Sequence, residues 1–247
     1  MYDSLQILAH ELRLFGIHGS LERRCHESMA ENLHPSELVR HLLEDERLQR
    51  KQAAAKRLVK RAKFRTTCEL EDWDRSFNRG LNKAKIDELS VLNFYHKEQN
   101  LIIAGNTGVG KTHLAIALGR RLCNEGIATA FYSTNLLFEE ANAEKAAGQY
   151  LKLIQRIASH RVLILDDFAL RNYTHEEANI LLEIIEERYR KGTIIVTSQV
   201  DSAGWKGLFE DPVIGEAIVD RLRNPSEEIT LKGESYRKKL AGSLKDE

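Results

Sequence analysis

The sequence is poor in cysteine, in aromatic residues and in long apolar runs, and its charges balance. Its 247 residues include three cysteines, Cys25, Cys68 and Cys123, which lie far apart and form no C-x-x-C pair. This spacing argues against a zinc site or a disulfide framework and fits a reducing cytoplasm. The 37 basic and 37 acidic residues cancel, so net charge alone predicts no partner.

Membrane and targeting segments are missing as well. The longest apolar runs are far too short to span a bilayer, so no membrane association is expected. The first residues, Met1-Tyr2-Asp3-Ser4, include an acid and no basic region, which is not the pattern of a secretory signal peptide. We therefore expect a cytoplasmic protein. Its 42% hydrophobic content is enough for a real core, in one domain with at most a small extension.

A glycine-rich motif is the most informative feature that is present. Residues 105–112 read G-x-x-x-x-G-K-T, the sequence of a loop that binds the phosphates of a nucleotide. An apolar stretch precedes the motif and a helical stretch follows it, and phosphate binding requires this order of strand, loop and helix. The predicted phosphate contacts come from the whole loop, which comprises Gly105, Asn106, Thr107, Gly108, Val109, Gly110, Lys111 and Thr112.

Four side chains have predicted roles in ATP chemistry. Lys111 would reach the β- and γ-phosphates, and the Thr112 hydroxyl would be a ligand of Mg²⁺. Asp166 and Asp167 end the apolar run 162–165, and a buried parallel strand delivers such acids to the edge of the sheet where nucleotides bind. Asp166 is predicted to hold Mg²⁺ through water, and Asp167 to orient and activate the attacking water.

The order of the elements predicts an α/β fold. From about residue 86 apolar strand candidates alternate with helical stretches, which is typical of a parallel sheet covered on both faces. One helix, His175–Arg190, is preceded by a capping box formed by Thr174 and Glu177. The strand candidates are Leu101–Ala104, Ala128–Tyr132, Val162–Leu165, Thr193–Val196 and Ile229–Leu231.

Residues 1–66 contain no convincing strand and predict a helical domain, followed by a second domain over residues 67–247. Apolar residues at helical spacing predict a first helix with Ser4 as its N-cap and Gly16 as its stop. A second short helix is predicted after Ser20. A long third helix is predicted from Pro35 to about Ala62, because proline suits the first turn.

The second half of the long helix is basic. Nine basic residues and no acid lie between Arg47 and Arg65. A solvated face explains most charge runs, but nine uncompensated like charges repel one another and favour an anionic partner. The sparse aromatic residues favour contacts to the DNA backbone over base stacking. The predicted DNA contacts are Arg50, Lys51, Lys56, Arg57, Lys60 and Arg61.

Four further residues are candidates for sensing or completing the site. The strand candidate that begins at Thr193 ends in polar side chains, and Gln199 is the first choice for a γ-phosphate sensor, with Thr197 second. A plain strand end is the alternative. Arg221 is predicted to be an arginine finger that reaches the site of a neighbouring subunit, so that hydrolysis depends on assembly. Arg237 is a candidate second γ-phosphate sensor.

These motifs together resemble one family. The matching stretches are Gly105–Ala117, Leu163–Phe168, Thr197-Ser198-Gln199, Asp220-Arg221-Leu222, Lys232–Arg237, the long helix from Leu42–Arg47 to Ala62-Lys63-Phe64, and Leu70–Asp74. The chain resembles IstB, the ATP-binding transposition helper of insertion sequences, over nearly its whole length. It differs from the family pattern at Arg65, where proline is expected, and at Asn106-Thr107, where two prolines are common.

The resemblance implies an AAA+ P-loop NTPase with a five-stranded parallel sheet flanked by helices, preceded by a small all-α N-terminal domain. It also implies ATP and Mg²⁺ as cofactors, and double-stranded DNA, bound with little sequence preference, as a partner. A cognate transposase and further copies of the chain are the other implied partners. The main alternative is a replicative helicase loader of the DnaC type, which shares the ATPase motifs and differs in what its N-terminal domain binds.

Two other classes fit the sequence less well. A small-molecule or nucleotide kinase needs a mobile lid with arginines that close over the acceptor, and no arginine-rich insertion lies between Gly126 and Val162. A DNA-binding scaffold with a purely structural nucleotide would not require an intact Lys111, Asp166 and Asp167.

Overall fold

The computed structural model describes residues 2–243, with side chains to residue 239. The chain divides into two compact units, Met1–Leu58 and Val59–Glu247. The division falls inside the long helix and so earlier than the predicted boundary after residue 66. Phe64, two residues beyond the end of this helix, packs against the core of the second unit.

The first unit consists of helices. The third of them begins and ends at the predicted residues. None of the helices within residues 2–243 combines the length and the apolar character needed to cross a lipid bilayer. The helices are α1 Tyr2–Glu11, α2 Phe15–Ala30 and α3 Pro35–Ala62, which continues past the division between the units.

The predicted limits of the first two helices were wrong. Ser4 lies inside α1, and α2 begins at Phe15 instead of after Ser20, so Gly16 is in its first turn. Gly16 does not end a helix; it allows α2 to pack closely against α3. A Cβ added there would lie 2.5 Å from the Glu46 Cα, and the Gly16 N–H donates to Glu46 Oε2 at 2.7 Å.

The second unit is built on one sheet of five parallel strands, as predicted. The strands are β1 Asn100–Gly105, β2 Thr129–Ser133, β3 Val162–Phe168, β4 Thr193–Ser198 and β5 Ser226–Leu231. Their order in the sheet is β2-β3-β4-β1-β5, which places β1, β3 and β4 in the interior. All six β4 residues are buried, which explains why the interior strands read as near-continuous apolar runs.

Helices cover both faces of this sheet. Alternate β1 residues point to opposite faces, because Ile102 belongs to one apolar cluster and Leu101 and Ile103 belong to another. The capping box of Thr174 and Glu177 is present. The helices are α4 Lys83–Ser90, α5 Asn93–His96, α6 Lys111–Asn124, α7 Thr134–Ala146, α8 Tyr150–Ala158, α9 His175–Arg188, α10 Pro212–Arg223 and α11 Tyr236–Ser243.

Candidate nucleotide-binding site

The predicted phosphate loop connects the end of β1 to the start of α6. All three of its glycines have positive φ, a backbone conformation that favours glycine, with values of 144° at Gly105, 84° at Gly108 and 104° at Gly110. A Cβ at Gly105 would collide with the Leu231 carbonyl oxygen, and one at Gly108 with the Ser235 hydroxyl. The loop can therefore pack closely against the end of β5 and the segment after it. Because α6 begins at Lys111, its N-terminal N–H groups face the loop, which is an arrangement that binds anions.

The Lys111 side chain lies across this loop. Its ammonium group donates to the carbonyl oxygens of Gly105 and Asn106, both at 2.8 Å. Burial lowers the pKa of Lys111, the nearby charges of Asp167 and Asp166 oppose that shift, and the positive charge of Arg237 adds to it. Both acids and Arg237 thus lie within electrostatic range of Lys111.

Asp166 is the centre of a hydroxyl-bonded cluster. Its Oδ1 accepts hydrogen bonds from Thr112 Oγ1 at 2.8 Å and from Thr197 Oγ1 at 2.6 Å. The residue is fully buried, and burial raises the pKa of its carboxyl, while the two hydroxyl hydrogen bonds act in the opposite direction. The predicted Mg²⁺ residues, Thr112 and Asp166, therefore lie side by side.

The residues at this point fit a magnesium ion that arrives with a nucleotide. Within residues 2–243 no group of three or more His, Cys, Asp or Glu side chains could hold a metal by itself. Mg²⁺ commonly binds one or two carboxylates together with substrate phosphates, so such a cage is not needed. The buried Oδ2 of Asp166 accepts no hydrogen bond, although the Arg65 guanidinium lies 3.8 Å away, so a metal-bound water could donate to this oxygen.

Thr197 contacts both acids. Besides its bond to Asp166, its hydroxyl accepts the backbone N–H of Asp167 at 3.0 Å. Asp167 has a left-handed backbone with φ of 56°, which Asp adopts more readily than most residues. Thr197 therefore helps to hold the backbone from which the predicted water-activating carboxylate projects.

Gln199 lies elsewhere in the site. Its Oε1 accepts a hydrogen bond from Thr107 Oγ1 of the phosphate loop at 2.8 Å. The two candidates for a γ-phosphate sensor thus have different neighbours, Gln199 on the loop and Thr197 on the acids. The sequence indicates only that both follow the same apolar strand.

Removing the Thr197 hydroxyl tests its position between the acids. We expect Thr197→Val to reduce the rate of ATP hydrolysis by about tenfold to a hundredfold, because a hydrogen bond to a charged group is worth about 1.5–3 kcal/mol. The Kd for ATP should change by less than about threefold. Hydrolysis is measured by phosphate release, with Thr197→Ser as the control that keeps the hydroxyl. A full rate in the valine variant would contradict this role.

The segment after β5 also packs on the loop. The backbone N–H of Tyr236 donates to the Gly108 carbonyl at 3.0 Å. This bond places Arg237, the candidate second sensor, near Lys111.

Arg79 is part of this region and was missed at the sequence level. Its guanidinium carbon lies 3.9 Å from the centroid of the Trp73 ring and 4.3 Å from that of Tyr236. A Cβ at Gly110 would be 3.1 Å from Arg79 Nη1, so this stack adjoins the phosphate loop. Burial lowers the pKa of Arg79. Trp73 and Tyr236 both lie in stretches that resemble the family, but no spacing rule connects segments so distant in the chain.

Arg221 lies at the opposite edge of the sheet. Asn100, the first residue of β1, donates through Nδ2 to the carbonyls of Arg221 at 3.1 Å and Leu222 at 3.0 Å. The Asn100 Oδ1 accepts the Ile194 N–H at 2.8 Å, so the end of α10 is tied to the amino edge of the sheet. The phosphate loop follows the other end of β1. Arg221 is therefore not brought to the phosphate loop of its own chain.

The surroundings of Arg221 are basic. Its guanidinium forms an ion pair with Glu186 at 2.9 Å. A cavity of about 780 Å³ opens beside it, with Arg161 and Arg190 in its lining. The edge of the sheet opposite the phosphate loop thus carries a concentration of positive charge.

The basic side chains in the second half of α3 are exposed. Arg50, however, is paired, because its Nε donates to Glu46 Oε1 at 2.6 Å. The basic stretch begins at Arg47, immediately after this glutamate, so a count of charges within the stretch misses the pairing. The predicted DNA contacts with exposed side chains are Arg50, Lys51, Lys56 and Arg57 in the first unit and Lys60 and Arg61 in the second.

The sheet order, the phosphate loop and the paired acids define an ATP-binding protein of the AAA+ class. The family model described as IstB-like ATP binding protein matches residues 7–243. The chain belongs to this family.

Curated relatives agree with the family assignment. The chain is 35% identical over 227 residues to an insertion-sequence ATP-binding protein of Mycobacterium tuberculosis, covering 92% of this chain and 90% of the relative. It is 32% identical over 243 residues to the ATP-binding protein of insertion sequence IS21 from Pseudomonas aeruginosa, covering 97% and 92%. A crystal structure of the DnaC helicase loader aligns with a TM-score of 0.55 and 25% identity, over 67% of this chain and 97% of the loader.

Proposed function

We propose that this chain is an ATP-hydrolysing switch that assembles on duplex DNA and assists a partner transposase. The observation that carries the ATPase part is the cluster at Asp166, which joins the loop threonine, the second acid and β4 through Thr112 and Thr197. Membership of an insertion-sequence family supports the transposition part.

The residues of the site divide the chemistry of hydrolysis among them. The loop N–H groups and the start of α6 bind the phosphates, and Lys111 neutralises charge on the β- and γ-phosphates. Mg²⁺, when bound with the nucleotide, supplies charge neutralisation at the phosphates. Thr112 and Asp166 would hold it. Asp167 orients the attacking water and accepts its proton, while Gln199 and Arg237 contact the γ-phosphate.

Hydrolysis is completed between subunits in this proposal. Arg221 lies at the sheet edge opposite the phosphate loop of its own chain, where Asn100 holds the end of α10. A second copy could place its nucleotide against this edge, and the arginines around the cavity would attract the phosphates electrostatically. The chain would then be active only as a homo-oligomer, in which each subunit supplies an arginine finger to its neighbour.

The exposed cations of α3 supply the DNA contacts. Lys56 and Lys60 are four residues apart, as are Arg57 and Arg61, and side chains at this spacing are neighbours on a helix surface. Such a surface binds phosphates without reading bases, which accords with weak sequence preference. We expect Arg50 to contribute less than these four, because Glu46 already pairs with it.

The helicase-loader alternative rests on the similarity to DnaC. It predicts that the N-terminal helices bind a replicative helicase, and it does not require binding to duplex DNA. One experiment separates the two functions. Duplex DNA of random sequence is titrated with the protein at one fixed salt concentration, with ATP, with ADP and without nucleotide, while the size of the complex is read by light scattering. Large DNA complexes that form with ATP but not with ADP or without nucleotide support the transposition helper. A lack of duplex binding under all three nucleotide conditions favours the loader.

Neutralising the basic face tests the DNA contacts. We expect the change of Lys56, Arg57, Lys60 and Arg61 to Gln to weaken ATP-dependent DNA binding and to flatten its salt dependence. The slope of log K against log salt should fall by roughly three to four, since each phosphate contact contributes about 0.9. The matched control changes four other exposed cations, Lys83, Arg121, Lys152 and Lys238, to Gln. An equal slope in both variants would show that the α3 cations are only a solvated face.

A further inference from the structure

The two oxygens of the Asp166 carboxylate have different surroundings. Oδ1 accepts from both Thr112 and Thr197, whereas the buried Oδ2 accepts no hydrogen bond. Arg65 forms an ion pair with this oxygen, with Nη1 at 3.8 Å from Oδ2. A guanidinium therefore stands at the one oxygen of Asp166 that the hydroxyl cluster leaves unused.

Local packing directs Arg65 to this position. The preceding residue, Phe64, packs edge-on against Phe131 with ring centroids 6.2 Å apart. A Cβ at Gly119 of α6 would lie 2.8 Å from the Phe64 ring, so the glycine makes room for this ring. The guanidinium of Arg65 lies 5.8 Å from the centroid of the Phe131 ring. Phe64 thus fixes the backbone from which Arg65 reaches Asp166.

The Arg65 side chain is not itself locked in the core. It is 43% exposed, whereas the Asp166 side chain is 1% exposed. The arginine can turn toward solvent without opening the apolar packing, while the carboxylate must stay where it is.

We propose that Arg65 is a resident counter-ion of Asp166 that opposes the binding of Mg²⁺ and turns away when Mg²⁺ and nucleotide bind. This inference rests on the proposed ATPase function. Two effects have the same sign. The positive charge of Arg65 repels an incoming divalent ion, and its ion pair stabilises the buried carboxylate when that ion is not there. Loss of Arg65 should therefore strengthen the binding of Mg²⁺.

Arg65 lies close in sequence to the proposed DNA contacts of α3. Arg65 follows Ala62, the last residue of α3, by three positions, and Lys60 and Arg61 stand at that end of the helix. An arginine released from Asp166 adds a positive charge to the surface of the segment that carries the proposed DNA contacts. The arrival of Mg²⁺ and ATP would thereby increase the positive charge offered to DNA.

The test measures Mg²⁺ dependence of nucleotide binding, without hydrolysis as the readout. Binding of a fluorescent, non-hydrolysable ATP analogue is titrated with Mg²⁺ in the full chain. In Arg65→Gln we expect the Mg²⁺ concentration at the midpoint to fall by about threefold to tenfold. A change of this size corresponds to a free energy between those typical of exposed and of buried ion pairs. Lys63→Gln removes one charge two residues away and should keep the wild-type midpoint, and Arg65→Lys should stay within about twofold of it.

A double-mutant cycle shows whether Arg65 acts through Asp166. In an Asp166→Asn background, Arg65→Gln should leave the Mg²⁺ midpoint unchanged. Thermal unfolding of each variant establishes that it is folded. If Arg65→Gln responds to Mg²⁺ with a midpoint no lower than that of the wild type, the proposed role of Arg65 is wrong. The ATPase proposal is unaffected by that result. Wild-type binding that is indifferent to Mg²⁺ overturns the proposed metal site and this inference with it.

Discussion

Replacing Lys111 with alanine is expected to raise the Kd for ATP by about a hundredfold and to eliminate ATP-dependent complexes with DNA. Lys111 is the cation of the phosphate loop, and a charge-assisted hydrogen bond to phosphate contributes about 1.5–3 kcal/mol. The loss of about 3 kcal/mol corresponds to roughly two decades in Kd. Binding is measured with a fluorescent ATP analogue, and DNA complexes by gel filtration at fixed salt.

Asp167→Asn is the matched control for Lys111→Ala. It alters the residue proposed to activate water and leaves the phosphate contacts in place. We expect this variant to bind ATP, to form DNA complexes and to hydrolyse ATP at a much reduced rate. ATP-dependent DNA complexes in Lys111→Ala would contradict the coupling between the two ligands. An unchanged hydrolysis rate in Asp167→Asn would indicate that the nucleotide has a structural role.

Replacing Arg221 with alanine is expected to leave ATP binding intact and to reduce hydrolysis by about a thousandfold, the lower end of the range for arginine fingers. The proposed reason is that Arg221 serves a neighbouring subunit, since its own phosphate loop follows the opposite end of β1. Hydrolysis is measured by phosphate release at saturating ATP and DNA. Arg223→Ala, two residues later on the same helix and exposed, should keep the wild-type rate.

Mixing two inactive variants distinguishes action between subunits from action within one. Asp167→Asn subunits retain Arg221 and still form DNA complexes but lack the proposed water-activating carboxylate, while Arg221→Ala subunits keep that carboxylate but lack the finger. We expect a mixture of the two to recover part of the hydrolysis rate, because some interfaces then combine an intact finger with an intact Asp167. A mixture that stays as inactive as its components would argue that Arg221 does not act in a neighbouring site.

The fold was largely predictable because its strongest signals are local. The interior strands are buried on both faces, so their sequences are apolar runs that end in polar side chains at the site. The phosphate loop needs its glycines and lysine in sequence order. The same locality explains the error at Gly16, where a glycine that permits a close approach to Glu46 looks the same in sequence as a glycine that ends a helix.

The parts of the site that escaped prediction depend on distant pairs. The stack of Arg79 between Trp73 and Tyr236 joins segments from the two ends of the second unit. Arg65 differs from the family pattern, but only the structure shows its contact with Asp166. Likewise, only the folded strand and helix reveal that Asn100 holds Arg221 at the sheet edge. The sequence immediately around each of these residues contains no pattern that indicates the contact.

The attachment made by Asn100 has a consequence for an assembly of many copies. β1 is about 20 Å long. The predicted phosphate loop follows one end of the strand, and the other end holds Arg221, the proposed arginine finger for a neighbouring subunit. A head-to-tail arrangement of such copies has a direction. A structural shift at the phosphate loop of one subunit would be transmitted along β1 to the proposed catalytic site of the next subunit. Under the proposed function, the state of one subunit's nucleotide would then affect the neighbouring site in one direction along the assembly.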